Sequence, residues 1–309
     1  MSAAEVTVTL RNGVVMPAVA LGCWSGTTAE EQRDGWKWMM TGLQAGYKQL
    51  DTARIYKTET TVAKAVKEAG VKREDLFITT KMKWDWQAYD VQKAFKQSLR
   101  DLATDYIDLY LIHWPMVMAI DENGHVVREA NGKDLRTVDV PNFKTCWAEF
   151  EKIYESGKVR AIGVSNFSIK TLNELLETAK IVPHVNQVEM HPYLAQPDLM
   201  AYCTEKGIMM TAYTPTGYAT VRADPTISEI AKKYNVSPAQ IILAWHLKRG
   251  VTVAVRSTSA ERQKDNINLP TLSEEDFQTI NKLDRGQRVC NVPDERGMMW
   301  GWTKERLGW

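Results

Sequence analysis

Four side chains suited to proton transfer stand at the ends of three consecutive apolar runs. Leu50-Asp51-Thr52-Ala53-Arg54-Ile55-Tyr56 carries an acid and a phenol. Leu76-Phe77-Ile78-Thr79-Thr80 ends in Lys81, and Ile107-Asp108-Leu109-Tyr110-Leu111-Ile112 ends in His113-Trp114-Pro115. Successive strands of a parallel sheet carry their C-terminal ends to one mouth, so Asp51, Tyr56, Lys81 and His113 are expected to converge there. A free phenol titrates near 10 and is a poor acid at neutral pH. An ammonium beside it favours the phenolate, so Lys81 is expected to lower the pKa of Tyr56, with Asp51 holding Lys81 charged and oriented. His113, as neutral imidazole, can donate a hydrogen bond to a substrate carbonyl. The set suits protonation of a carbonyl oxygen while hydride arrives at carbon. It holds no nucleophile paired with a base, which disfavours acyl transfer.

Something must bring these residues together, and the rest of the chain reads as that scaffold. Val6 to Val19 reads as a β-hairpin turning at Asn12-Gly13. Strand-like runs follow at Val19–Trp24, Tyr47–Thr52, Leu76–Lys81, Ile107–His113, Ala161–Ser165, Val185–Glu189, Met209–Tyr213 and Thr252–Val255. Most are continuously apolar, as strands buried on both faces are. Helix signals lie between them. Thr28-Ala29-Glu30-Glu31 is a capping box, Val91 to Leu102 has apolar residues at helical spacing, and Ser237-Pro238 puts a cap before proline at the first helical position. Eight strands each followed by a helix predict a (β/α)8 TIM barrel with an N-terminal β-hairpin, one domain over residues 1–309. The irregular stretch from Met116 to Asn142 follows the fourth strand at the active mouth, and its length predicts a part in shaping a binding site.

Composition bounds the partners. A formal net charge of +1 over 309 residues argues against a nucleic-acid surface. The N-terminus lacks a signal-peptide pattern, and no apolar run approaches the roughly 20 residues that span a bilayer, so a cytoplasmic protein without a membrane partner is expected. Cys23, Cys146, Cys203 and Cys290 form no CxxC and read as free thiols; no metal site is expected. With a set suited to carbonyl protonation, a small-molecule carbonyl substrate is the expected partner.

No GxGxxG follows a strand, so a Rossmann site is not indicated, and a nicotinamide cofactor would have to lie across the barrel mouth. Later strands end in residues that can hold it. The amides of Asn166 and Gln187, with Ser165 beside them, can bind a carboxamide. Tyr213 can stack on the nicotinamide ring. Arg256, followed by Ser257 and Thr258, and Arg262 can clamp a 2′-phosphate.

These residues resemble the aldo-keto reductase family, especially its aldose and xylose reductase branch, over nearly the whole chain. The carriers are Gly22-Cys23-Trp24, Leu50-Asp51-Thr52-Ala53 with Tyr56, Thr80-Lys81, the run Leu109 to Pro115, Gly163-Val164-Ser165-Asn166-Phe167, Asn186-Gln187-Val188-Glu189 with His191-Pro192-Tyr193, and Thr211-Ala212-Tyr213-Thr214-Pro215. The resemblance implies a catalytic tetrad of Asp51, Tyr56, Lys81 and His113, with Tyr56 as the acid. It implies Ser165, Asn166 and Gln187 at the carboxamide and Tyr213 stacked on the ring. Arg256, Ser257, Thr258, Arg262, Asp265 and Asn266 stand at the adenosine end. Trp24, Thr214, Thr216 and Gly217 complete the implied cofactor site.

Three departures from the family pattern matter. Ala254-Val255-Arg256-Ser257 replaces a frequent Ile-Pro-Lys-Ser; a cation remains, so NADPH is expected, with NADH also accepted. The segment from Thr214 to Asp224 is short and has no counterpart of the aspartate clamp that closes over the pyrophosphate in many relatives. Lys83 stands where aldose reductases carry an aromatic, at the rim of a pocket of Trp24, Trp84 and Trp114, with His113 at its base and Trp300 and Trp302 as its cover. A cation there favours an aldehyde bearing a carboxylate. The short loop, the chain length and the Trp-rich tail give a looser resemblance to fungal D-galacturonate reductases, which implies reduction of D-galacturonate to L-galactonate. The alternatives are a general aldose or aldehyde reductase acting on glyceraldehyde or xylose, and a non-catalytic nicotinamide-binding subunit.

Overall fold

The computed structural model describes residues 3–309. Asn12-Gly13 turns the first hairpin, in which β1 (Thr7–Thr9) pairs antiparallel with β2 (Val15–Pro17). Gly13 adopts φ +85°, a left-handed conformation that glycine reaches without steric cost. Leu10 and Met16 of this hairpin pack on Phe77, Leu109, Ala161 and Val185. They plug the end of the barrel where strands begin, leaving the end where strands finish for a site.

Eight parallel strands close the barrel. They are β3 (Val19–Gly22), β4 (Gln49–Asp51), β5 (Phe77–Met82) and β6 (Ile107–Ile112), and, after a small antiparallel pair β7 (Val117–Met118) and β8 (Thr137–Val138), β9 (Val159–Ser165), β10 (Val185–Glu189), β11 (Met209–Tyr213) and β12 (Thr252–Val255). β12 pairs with β3 and shuts the ring. Every residue of β4, β5, β6, β10 and β12 is buried, as it must be between the barrel interior and a helical coat. The last three strands run as the sequence predicts. The earlier ones differ by one or two residues, because ladder bonds stop where the chain bends toward the mouth: β3 ends at Gly22 rather than Trp24.

The helix signals hold. Thr28 and Glu31 form a reciprocal capping box at Ala29–Asp34, and Ser237 caps Pro238–Lys248 with Gln240 returning the bond. Val91–Asp101 is helical, capped by Asp90. All four cysteines are free thiols.

The stretch from Met116 to Asn142 is not irregular. β7 and β8 pair within it, and bridges join Ile120 to Val126 and Arg128 to Leu135. It does not shape the site directly either, since none of its described residues lines the main cavity. It anchors the C-terminal tail instead: Arg296 donates to both oxygens of Asp134 at 2.8 and 2.5 Å, and Arg306 donates to Asp139 at 2.6 Å. That tail forms a second small pair, β13 (Met298–Met299) with β14 (Trp302–Thr303), and carries Trp300 over the barrel mouth.

Candidate active site

Asp51 is the last residue of β4, Lys81 sits one residue before the end of β5, and His113 follows β6 directly. Tyr56 ends the single 3₁₀ turn Arg54–Tyr56 after β4, fixed by its N–H donating to the Ala53 carbonyl at 2.9 Å. Strand register does the rest: Asp51 lies beside Thr79, and Lys81 beside Leu111. The Lys81 ammonium donates to Asp51 Oδ1 at 2.5 Å and to the Thr52 carbonyl at 3.0 Å. It stands 5.3 Å from the centre of the Tyr56 ring. The Tyr56 and His113 rings meet edge to face with centroids 5.7 Å apart. The structure therefore brings Asp51, Tyr56, Lys81 and His113 together.

Electrostatics correct one expectation. Lys81 does not bring the Tyr56 phenol down. Burial pushes it well above the ordinary tyrosine range, and the Asp51 carboxylate adds to that. Lys81 is bonded to Asp51 at 2.5 Å, so the phenol meets it as half of an ion pair rather than as a lone cation. Tyr56 is thus held protonated. His113 is held neutral, its pKa depressed well below the usual value first by burial and then by the Lys81 charge. Cys23 lines the same space, but burial pushes its thiol far up, so it offers no thiolate there.

A cavity of about 860 Å³ runs from this cluster across the mouth. Gln187 donates to Asp51 Oδ2 at 2.7 Å, tying β10 to the tetrad. Asn166 donates to the His113 carbonyl at 3.0 Å, and its Oδ1 accepts the Tyr213 hydroxyl at 2.7 Å. Tyr213 is held on its other side by Asn291, whose amide donates to the phenol oxygen at 2.9 Å. Trp24, Asn166, Gln187, Tyr213, Thr214, Thr216, Arg256, Ser257, Thr258, Arg262, Asp265 and Asn266 all line the cavity. Ser165 and Gly217 do not. Ser165 lies behind Asn166, donating to the Gln187 carbonyl at 2.8 Å, and Gly217 caps the short helix Tyr218–Arg222.

Trp84, Trp114 and Trp300 wall the end nearest His113; Trp84 stands 5.3 Å from His113 and 5.9 Å from Trp300, centroid to centroid. Trp302 is buried beneath Arg306 and does not reach the cavity. Lys83 does not reach it either. The chain leaves β5 after Met82, and the Lys83 ammonium turns to the buried Asp85 at 2.6 Å. Lys83→Met is accordingly expected to change kcat/KM for galacturonate and for glyceraldehyde in parallel. A loss confined to galacturonate would return Lys83 to the pocket.

The sequence reading placed Trp300, Thr214 and Thr216 at the mouth, but it missed Cys290 and Asn291 of the tail and Tyr218 and Arg222 after β11. Cys290 and Asn291 line the cavity because Glu189, at the end of β10, accepts the Val289 and Cys290 N–H groups at 2.7 and 2.9 Å. The signal was a buried glutamate at a strand end, which needs partners. Tyr218 and Arg222 also line it, as does the start of the helix Pro238–Lys248.

The architecture and this site match one family. The aldo/keto reductase family model matches residues 18–285. The chain is 40% identical over 285 residues to the glycerol 2-dehydrogenase (NADP(+)) of Saccharomyces cerevisiae, covering 89% of this chain and 90% of that one. It is 38% identical over 280 residues to the D-galacturonate reductase of Hypocrea jecorina, covering 88% of each. The aldose reductase structure from Schistosoma japonicum superposes with a TM-score of 0.84 at 30% identity, over 93% of this chain and 95% of that one. The chain belongs to the aldo/keto reductase family, oxidoreductases that act on small-molecule carbonyls with a nicotinamide cofactor. Among the described residues, no helix is long and apolar enough to cross a membrane.

Proposed function

We propose that this chain reduces the aldehyde of a sugar or sugar acid to the alcohol with NADPH, Tyr56 acting as general acid. The observation that carries the reading is the convergence of a protonated, half-buried phenol, a neutral imidazole and a buried Lys81–Asp51 pair in a cavity of about 860 Å³ that Arg256 and Arg262 also line.

The residues fit a nicotinamide dinucleotide. Exposed Trp24 offers an apolar face at the mouth, with the Arg256 guanidinium 5.2 Å above its ring. Arg256 and Arg262 line the far end, and neither has a carboxylate ion-pair partner among the described residues. Asn166, Gln187 and Tyr213 would hold the nicotinamide end. The bound cofactor supplies hydride to the carbonyl carbon. Tyr56 gives its proton to the oxygen as negative charge develops there, which requires the phenol to be protonated beforehand, as burial makes it. Lys81 then faces the phenolate that remains, and solvent restores the proton. Neutral His113 orients the carbonyl by donating a hydrogen bond. Trp84, Trp114 and Trp300 exclude water and hold the rest of the substrate.

D-galacturonate, giving L-galactonate, is the first substrate to test, supported by the short segment after Tyr213 and by the likeness to a D-galacturonate reductase. A second reading, reduction of neutral aldehydes such as glyceraldehyde or xylose, is favoured by Lys83 being engaged with Asp85. A substrate panel monitored by loss of the reduced-nicotinamide absorbance decides between them through the ratio of kcat/KM values.

Arg256 and Arg262 carry the cofactor preference. Replacing Arg262 by Leu is expected to weaken NADPH by about 10- to 150-fold, the worth of a charge-assisted contact of about 1.5–3 kcal/mol, while changing NADH little. Equal losses in the two dissociation constants would mean that Arg262 does not read the 2′-phosphate.

A further inference from the structure

The segment that follows β11 is short, and it holds a third guanidinium at the far end of the cleft. Gly217, in a left-handed conformation at φ +60°, starts the one-turn helix Tyr218–Arg222. Val221 of that helix is fully buried, which fixes its orientation and sends Arg222 outward on the other side. The Arg222 side chain then folds back toward the cavity, donating to Thr216 Oγ1 at 3.1 Å, and both residues line it.

Arg262 lines the same cavity, in the first turn of the helix Ala260–Asn266 capped by Ser259. The two guanidiniums feel one another: burial lowers the Arg222 pKa first, and the Arg262 charge lowers it further. Neither has a carboxylate within ion-pair distance among the described residues. Eight other arginines find one, among them Arg54 with Glu59, Arg73 with Asp108 and Arg296 with Asp134, and these two do not. Two like charges lining one cavity repel, and an anion held by both turns that repulsion into attraction. A guanidinium is also a planar fork suited to phosphate oxygens, a role a nearby ammonium would fill less specifically.

We propose that Arg222 is a specificity-determining residue that, with Arg262, grips the 2′-phosphate of the dinucleotide from the segment after β11. This rests on the reading of the cavity as an NADPH site. It assigns a task to the short segment: a side chain on a one-turn helix reaches the phosphate that a longer closing loop would otherwise cover. Because Arg222 is exposed and bonded only to a hydroxyl, its removal leaves the fold intact, and the binding defect can be read alone.

The test uses two nucleotides that differ by one phosphate, adenosine 2′,5′-bisphosphate and adenosine 5′-monophosphate, titrated calorimetrically into the full-length wild type and into Arg222→Met at one ionic strength. Wild type is expected to bind the bisphosphate more tightly. Arg222→Met is expected to lose about ten-fold or more of that affinity, with the monophosphate changed less than about two-fold. Arg222→Lys is expected to recover part of the loss, since the charge returns without the fork. If both nucleotides weaken together, or neither does, the assignment of Arg222 to the 2′-phosphate is overturned while the NADPH reading stands. If wild type itself shows no preference for the bisphosphate, the NADPH reading fails, and this assignment with it. Thermal melting of the variants, expected to match wild type, separates a binding defect from a folding one.

Discussion

Tyr56→Phe is expected to lose about 10²–10⁴-fold or more in turnover while binding the nicotinamide cofactor nearly as wild type does. The substitution removes one oxygen and keeps the ring, so the edge-to-face contact with His113 survives. The hydroxyl is the one group of the tetrad placed to give up a proton at neutral pH. His113 is held neutral, so it has no ready proton to lose, and the Lys81 ammonium is committed to Asp51 and the Thr52 carbonyl. Without Tyr56 the developing alkoxide must take its proton from water that the tryptophan walls largely exclude. Cofactor affinity, read from quenching of the tryptophan fluorescence, is expected to change little. A mutant with near-normal turnover would remove Tyr56 from its role.

Lys81→Met is the second large effect, and it has two parts. Lys81 is completely buried and Asp51 nearly so, which makes theirs a buried pair. Deleting one partner leaves a carboxylate uncompensated, at a cost of about 3–5 kcal/mol of stability, visible as a lower melting temperature. The catalytic part follows from the same change. With its cation gone, Asp51 repels charge at Tyr56 without opposition, and the phenolate left by proton transfer has nothing to steady it. Turnover falls, and the sign of the pH effect is fixed. Reduction needs the protonated phenol, so activity is lost as pH rises through the Tyr56 pKa, and removing a nearby cation raises that pKa. Because the phenol stays protonated past the ordinary tyrosine range in wild type, and further in the mutant, turnover is expected to fall by a similar factor across the neutral range, with no alkaline limb moved into it. Turnover in the mutant equal to wild type would show that Lys81 has no hold on the phenol.

The placement of the tetrad was legible because it depends on local rules. Asp51, Lys81 and His113 end apolar runs, parallel strands end at one mouth, and Tyr56 is five residues from Asp51. The phenol's pKa was not legible. A sequence shows which charges are near, but it does not show that burial outweighs them or that the phenol meets Lys81 as half of an ion pair. Lys83 was misread for a geometric reason. Two residues after Lys81, a strand would return it to the same face, but β5 ends at Met82 and the two-residue period ends with it. Trp300 was legible in the tail, but Asn291 was not, for another reason. Asn291 meets Tyr213 across 78 residues, in a stretch with neither helical nor strand periodicity, and only the buried Glu189 marked where it would dock.

The measurement that tests the account most directly is a stoichiometric assay of the wild-type chain with NADPH or NADH against D-galacturonate, glyceraldehyde and xylose. Consumption of the reduced nicotinamide and formation of the alcohol are followed in the same sample. The account predicts one alcohol formed per cofactor oxidised, with a higher kcat/KM for NADPH than for NADH. Tight binding of the dinucleotide with no oxidation by any of the aldehydes would contradict it, and would leave the four converged residues as parts of a binding protein.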